Sequence, residues 1–181
     1  MSQADLDVIR QVLAGDRGAF DALVRRYQRE IYGLTYRMTR NAEDARDLAQ
    51  EAFLQAYRSL ASFRGQSGFS TWLYRIAMNL CLNQLKARRR EDPGEVDGDL
   101  VDPRVDALAV LATEERDRAL LAAIQALPHQ QRATLVLRVY QGLSHREISA
   151  VLGCAEGTAK ANYFHAIRTL QRKLQAYRET E

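Results

Sequence analysis

Aromatic and basic side chains alternate over one short stretch, Phe63, Arg64, Phe69, Trp72, Tyr74 and Arg75, and a run of cations, Lys86 to Arg90, follows soon after. Flat rings beside cations are how proteins hold unpaired nucleic-acid bases, the ring stacking on the base and the cation holding the backbone. Arg75, Asn79, Asn83 and Lys86 recur at three- or four-residue spacing, which lays a polar track along one helical face that can follow a single strand. Trp72 fits either core packing or base contact. The basic run fits either DNA binding or a solvated helix end, where cations are also favoured.

A second constellation lies near the other end. Ser144-His-Arg-Glu147 is a capping box opening a short helix with Ile148, Val151 and Leu152 inside; Gly153 ends it, and a longer basic helix starts near Glu156. Short helix, tight glycine turn and basic helix make a helix-turn-helix, whose second helix enters the major groove. Ala159, Tyr163, Ala166 and Leu170 share an inward face of that helix. Thr158, Lys160, Ala161, Asn162, His165 and Arg168 point outward, with His145 on the preceding helix, and form the expected duplex contacts. Asn162 can pair with adenine, Lys160 and Arg168 with guanine or phosphate, and Phe164 either touches a thymine methyl or packs on the preceding helix.

The elements that must hold these groups are all helical. Ser2 to Leu13 reads as a short helix with Ser2 and Asp5 in a capping pattern. Phe20, Leu23, Val24, Tyr27, Ile31, Leu34 and Met38 form the buried stripe of a long one. Asn41 is expected to cap the next helix with Asp44 reaching back. Ala45, Leu48, Ala52, Ala56 and Leu60 lie inside it, and Asp44, Asp47, Gln50, Glu51 and Leu54 largely outside. After a Gly/Ser loop, Ser70 is expected to cap a helix striped by Leu73, Ile76 and Leu80. Leu120 to Leu127 and Ala133 to Tyr140 are helices parted by Pro128. No strand-like alternation or internal repeat occurs. The prediction is an all-α fold of two small helical domains, residues 1–90 and 114–181, joined by a linker at 91–113, within which Asp102-Pro103 can start a helix through Leu111.

Charge supports that division. Residues 91–113 hold seven acidic side chains and one arginine, a net −6, which leaves +9 for the rest of a chain whose total is +3. The folded parts thus suit a polyanion, and the linker does not. The three histidines form no triad or ligand set with Cys or Asp, and no phosphate-binding glycine loop is present, so neither an enzyme, a cofactor nor a metal is expected. No apolar run approaches a membrane span, no leader is legible, and Cys81 and Cys154 lack ligand or disulfide spacing; a cytoplasmic protein with reduced thiols is expected.

Asp44-Ala-Arg-Asp-Leu-Ala-Gln-Glu-Ala-Phe53, Phe69-Ser-Thr-Trp-Leu-Tyr-Arg-Ile-Ala-Met-Asn79, Leu127-Pro128, Gly142-Leu-Ser144 and Gly157-Thr-Ala-Lys160, in this order and spacing, resemble the bacterial extracytoplasmic-function sigma factors over nearly the whole chain. The resemblance implies a sigma-two domain followed by a sigma-four domain, both docking on core RNA polymerase. It implies that Asp44, Asp47, Leu48, Gln50, Glu51 and Phe53 meet the clamp helices of the largest subunit, and that the second domain meets the flap of the second-largest. It implies that Phe63, Arg64, Phe69, Ser70, Thr71, Trp72, Arg75, Asn79, Asn83, Lys86, Arg88 and Arg89 read and melt the minus-ten promoter element, while the helix-turn-helix binds the minus-thirty-five element. The linker would enter the polymerase near nascent RNA, its negative charge, Asp97, Asp99 and Asp102 included, mimicking a phosphate backbone; the other reading is a flexible acidic spacer. An anti-sigma factor is an expected partner. Ala155 and the stretch Asn162-Tyr-Phe-His165 depart from the family's usual serine and arginine-rich pattern, which bears on minus-thirty-five preference. The competing reading is a helix-turn-helix regulator that binds its operator unaided, which leaves the Gln50 to Phe53 surface and the aromatic loop without a task.

Overall fold

The computed structural model describes residues 2–91 and 115–178, and within them every regular element is helical. The linker, with its expected helix start at Asp102-Pro103, lies outside the described residues. In chain order the helices are α1 (Gln3–Leu13), α2 (Phe20–Thr39), α3 (Ala42–Arg58), α4 (Phe69–Glu91), α5 (Glu115–Gln125), α6 (His129–Val139), α7 (His145–Leu152) and α8 (Glu156–Arg178).

The first module, α1 to α4, forms around the stripe legible in α2. Leu23, Ile31, Leu34 and Met38 are wholly buried, against Ala45, Ala52 and Ala56 of α3 and Leu73, Ala77, Met78 and Cys81 of α4. Small alanines on α3 let α2 approach closely, so these two helices share the most extensive packing among the described residues. Asn41 caps α3 as expected, accepting from the backbone N–H of Glu43 and Asp44 at 2.9 and 3.0 Å, but Asp44 does not reach back to it, because its carboxylate accepts from Gln84 and Arg88 of α4 instead.

Three local expectations differ. Ser2 precedes α1 but makes no side-chain cap bond. Asp5 instead is buried and accepts from the Arg26 guanidinium and, at 2.7 Å, from the Tyr27 hydroxyl, since a carboxylate taken out of water needs partners and α2 supplies both. Ser70 lies inside the first turn of α4, which starts at Phe69, two residues earlier than a Ser70 cap requires.

In the second module Pro128 precedes α6 with extended backbone, and the helix starts at His129, earlier than the apolar pattern suggested. The capping box forms in full. The Glu147 backbone N–H donates to Ser144 Oγ at 3.2 Å, the Ser144 N–H donates to Glu147 Oε2 at 2.8 Å, and Gly153 closes α7 at φ 66°. The Ser144 hydroxyl also donates to Glu147 Oε2 at 2.7 Å, and that bond first, then the one from the Ser144 N–H, holds the Glu147 carboxyl below its ordinary value.

The two modules share a core. Ala123, Ile124, Leu127, Leu135, Ala166 and Leu170 form a small cluster of their own in the second, while Ala133, Val136, Leu137, Leu143, Ile148, Val151 and Ala159 join the large cluster of the first. Helix α7 packs on α4, and α6 on α2.

Candidate polymerase and nucleic-acid surfaces

Helix α3 divides its face sharply. Asp47 and Gln50 are exposed and Glu51 half-buried, whereas Leu48 and Phe53 lie in the core at 7% and 9% exposure. Asp44 turns toward α4: it accepts from Gln84 Nε2 at 3.0 Å and from Arg88 Nη2 at 2.7 Å, tying a residue expected on the polymerase surface to one expected on DNA. Beside Gln50 the surface carries an apolar groove of about 670 Å³ between α2 and α3, lined by Phe20, Val24, Tyr32, Phe53, Leu54 and Tyr57 and rimmed by Arg29, Arg46 and Gln50. Leu54 is 41% exposed there. Periodicity placed Leu54 outward but carried no sign of the groove, because Phe20, Val24 and Tyr32 come from another helix.

The loop and first turn of α4 gather the aromatic residues. Phe63 lies 5.4 Å from Trp72 and 5.9 Å from Phe69, ring centre to ring centre; Phe69 lies 5.7 Å from both Trp72 and Tyr27. Phe69 is 1% exposed and Thr71 8%, so both stand behind the surface; Phe63, Ser70 and Trp72 are half-buried and Arg64 is exposed. Arg75, Asn79, Asn83, Lys86 and Arg89 are exposed along one side of α4, as their spacing requires. Tyr74 is a core residue, donating its hydroxyl to Glu30 at 2.6 Å; burial first, then that carboxylate, raises its ionisation beyond reach.

In the helix-turn-helix, Ala159, Ala166 and Leu170 are buried and Tyr163 half-buried. Thr158, Lys160, Ala161, His165 and Arg168 are exposed and Asn162 is half-exposed. Phe164 projects into solvent at 60% exposure. His145 leans on the Tyr163 ring at 5.5 Å, which fixes α7 against α8, and its Nδ1 is buried with no hydrogen-bond partner among the described residues. Lys160 is paired with Glu156 at 2.8 Å, one turn earlier; the ammonium's hydrogen bond, then its charge, lowers the Glu156 ionisation. Exposed pairs of this kind exchange readily for phosphate.

Among the described residues no group of three or more His, Cys, Asp or Glu is gathered closely enough to hold a metal ion, and no helix is long and apolar enough to cross a membrane.

Known proteins share this arrangement. Residues 23–91 match the family model of sigma-70 region 2, and residues 117–170 that of sigma-70 region 4. The RNA polymerase sigma-H factor of Pseudomonas aeruginosa is 39% identical over 186 aligned positions, covering 96% of this chain and 95% of that one. The ECF RNA polymerase sigma-E factor of Escherichia coli K12 is 36% identical, covering 94% of each. In fold the chain is similar to the sigma factor RpoE crystallised with the anti-sigma factor NepR from Bartonella quintana, with a TM-score of 0.67, 23% identity and coverage of 86% and 96%. It is also similar to CnrH in complex with the cytosolic domain of CnrY, with a TM-score of 0.70, 24% identity and coverage of 96% and 99%.

Proposed function

The chain belongs to the sigma-70 family, in its extracytoplasmic-function branch, as a factor that directs RNA polymerase to promoters, and from that premise we propose which of its surfaces does which part of the work. The observation that carries the reading is the apolar groove beside Gln50. A regulator acting alone has no use for an exposed apolar groove away from its DNA-reading helix. A subunit that must seize a helical element of a partner does, since a helix laid in a groove buries its apolar face.

The clamp helices of the largest polymerase subunit occupy this groove, with Asp47, Gln50 and Glu51 on its polar margin and Leu54 at its centre. Phe53 forms part of the floor, Leu48 supports it from the core, and Asp44 acts through α4. The second module meets the flap of the second-largest subunit. The boundaries proposed are 1–90, 91–113 and 114–181.

On the minus-ten element the aromatic cluster is a wall rather than a set of fingers. Phe69 and Thr71 hold Trp72 and Phe63 at the surface, where a base leaving the duplex can stack on them, and Arg64, Ser70 and Arg75 stand beside it. Asn79, Asn83, Lys86, Arg88 and Arg89 carry the strand along α4. Unpairing costs a few kcal/mol, and stacking returns about 1–3 kcal/mol per base, so trapping and reading become one event. On the minus-thirty-five element Thr158, Lys160, Ala161, Asn162, His165 and Arg168 face the major groove, with His145 near the phosphates. The chain itself catalyses nothing and works inside the cell with the polymerase. RpoE, similar in fold, is bound by an anti-sigma factor in its crystal, and an anti-sigma factor holds this chain in check as well.

The test is assembly with core polymerase, read by fluorescence titration. Gln50→Ala with Leu54→Glu weakens assembly by about tenfold or more while leaving the helical circular dichroism unchanged, a loss of the size expected for a groove anchor. Assembly equal to the parent protein refutes the groove assignment. Phe53→Ala does not serve, because its side chain is core.

A further inference from the structure

One turn of α2 is tied to the helices on either side of it. Asp5 of α1, a carboxylate only 2% exposed, accepts from the Tyr27 hydroxyl at 2.7 Å and from the Arg26 guanidinium. Tyr74 of α4 donates to Glu30, one turn further along, at 2.6 Å. Burial first, then the hydrogen bond to Asp5, raises the Tyr27 ionisation beyond reach, so its phenol is a standing donor.

Holding α1 in place does not call for such an arrangement. Ile9 is buried and Val8 and Val12 pack against the same core, so α1 already has an apolar face on the module. Withdrawing a carboxylate from water is costly, and a buried ion pair adds little over well-packed apolar side chains of the same volume. What the bond supplies is direction. Apolar contacts let a ring slide and tilt, whereas a hydroxyl held by a fixed acceptor sets where the ring lies.

That ring backs the aromatic wall. Tyr27 stands 5.7 Å from Phe69 at an interplanar angle of 50°, and Phe69 stands 5.7 Å from Trp72. Because Phe69 is 1% exposed and close-packed, a shift of Tyr27 passes through it to the half-buried Trp72 instead of being taken up by solvent.

We propose that Asp5 is a positioning residue for the wall: through Tyr27 and Phe69 it sets the depth and tilt of Trp72, and so the capture of a base leaving the minus-ten duplex. The tie from Asp5 to Trp72 is a property of the free chain; only its part in base capture rests on the reading of the wall given above.

Trp72 is the only tryptophan in the chain, so its fluorescence reports the wall directly. In the free chain Asp5→Ala shifts Trp72 emission to the red and increases its quenching by acrylamide, with the helical circular dichroism unchanged. The variant folds, since Arg26, 40% exposed, is left to water. Assembled with core polymerase on a promoter, it lowers permanganate reactivity of unpaired minus-ten thymines, per promoter bound, by about fivefold, the lower end of what one stacking contact is worth. Tyr27→Phe removes a single hydroxyl and leaves Asp5 its Arg26 partner; it reproduces both effects, and the double variant is no worse than either single one, because both cut the same tie. Asp5→Asn restores both readouts, since an amide oxygen still accepts from Tyr27.

An anchor for α1 alone behaves otherwise: the thermal midpoint falls while Trp72 and promoter opening stay as in the parent. Parental Trp72 emission and quenching in folded Asp5→Ala and Tyr27→Phe therefore overturn the positioning role, and so does a double variant whose losses add. Altered Trp72 signals with parental opening per promoter bound overturn the base-trap reading of the wall, and with it the part of Asp5 in opening.

Discussion

The aromatic side chains of the two DNA-facing regions sit at opposite depths. At the start of α4, Phe69 is sealed in the core and Phe63 and Trp72 lean on it half-buried, whereas on α8 Phe164 stands 60% exposed with the His165 ring beside it. Trapping an unpaired base calls for a rigid wall that does not collapse when the base departs, and that rigidity comes from packing. Reading an intact duplex calls for side chains that project from a helix into a groove already formed. The same residue type therefore serves stability in one region and contact in the other.

The strongest way to break this contrast is to remove one aromatic from each region. Phe69→Ala costs about 3–5 kcal/mol of stability, the range for large-to-small changes in a core, and disables both modules together because the core is shared. Phe164→Ala changes stability by less than about 0.5 kcal/mol. Denaturant melts of the two variants decide it, and equal losses end the comparison.

A smaller effect separates strand-holding from groove-reading. Arg168→Ala weakens duplex binding at every sequence and lowers the salt slope by about 1, since one phosphate contact is lost. Asn79→Ala leaves duplex binding by the assembled polymerase unchanged and reduces permanganate reactivity of unpaired thymines in the minus-ten region. If both variants affect both readouts alike, the division of labour fails.

Smaller again is the acid response of the helix-turn-helix. The Glu147 carboxyl is held below its ordinary value by Ser144, so its stabilisation is present above the ordinary carboxylate range, about pH 4.3, and fades as pH falls below it. Glu147→Gln keeps the box geometry but not the charge. Its thermal midpoint lies below the parent's at pH 7 and converges with it toward pH 3; a constant gap shows that the charge contributes nothing. Finally, burial pushes the Cys81 thiol up to about 12, while Cys154 is half-exposed in the turn before α8. A thiol reagent labels native protein at Cys154 at least about 100-fold faster than at Cys81, a difference that unfolding abolishes.

Much of this molecule is legible from its residues because helices are local. The α2 stripe, the Asn41 cap, the capping box with Gly153 and the inward set on α8 depend only on neighbours within a few positions, and each forms as its spacing requires. The polar track of α4 was readable for the same reason. Phe69, Thr71 and Asp44 were not. Residue type marks them as ring, hydroxyl and acid, but their depth depends on which helix lies opposite: Tyr27 behind Phe69, Arg88 above Asp44.

By itself, then, the sequence determined the helices, the Asn41 cap, the Ser144 capping box, the two modules and the charge partition that suits the folded parts to a polyanion. Tertiary structure alone decided which residues of those faces remain at the surface, created the groove from α2 and α3, and brought Arg132 to the end of α2. The reason is range. Helical periodicity is written within one turn, whereas burial and ion pairing are set by contacts between residues such as Met38 and Arg132, whose meeting no local pattern encodes.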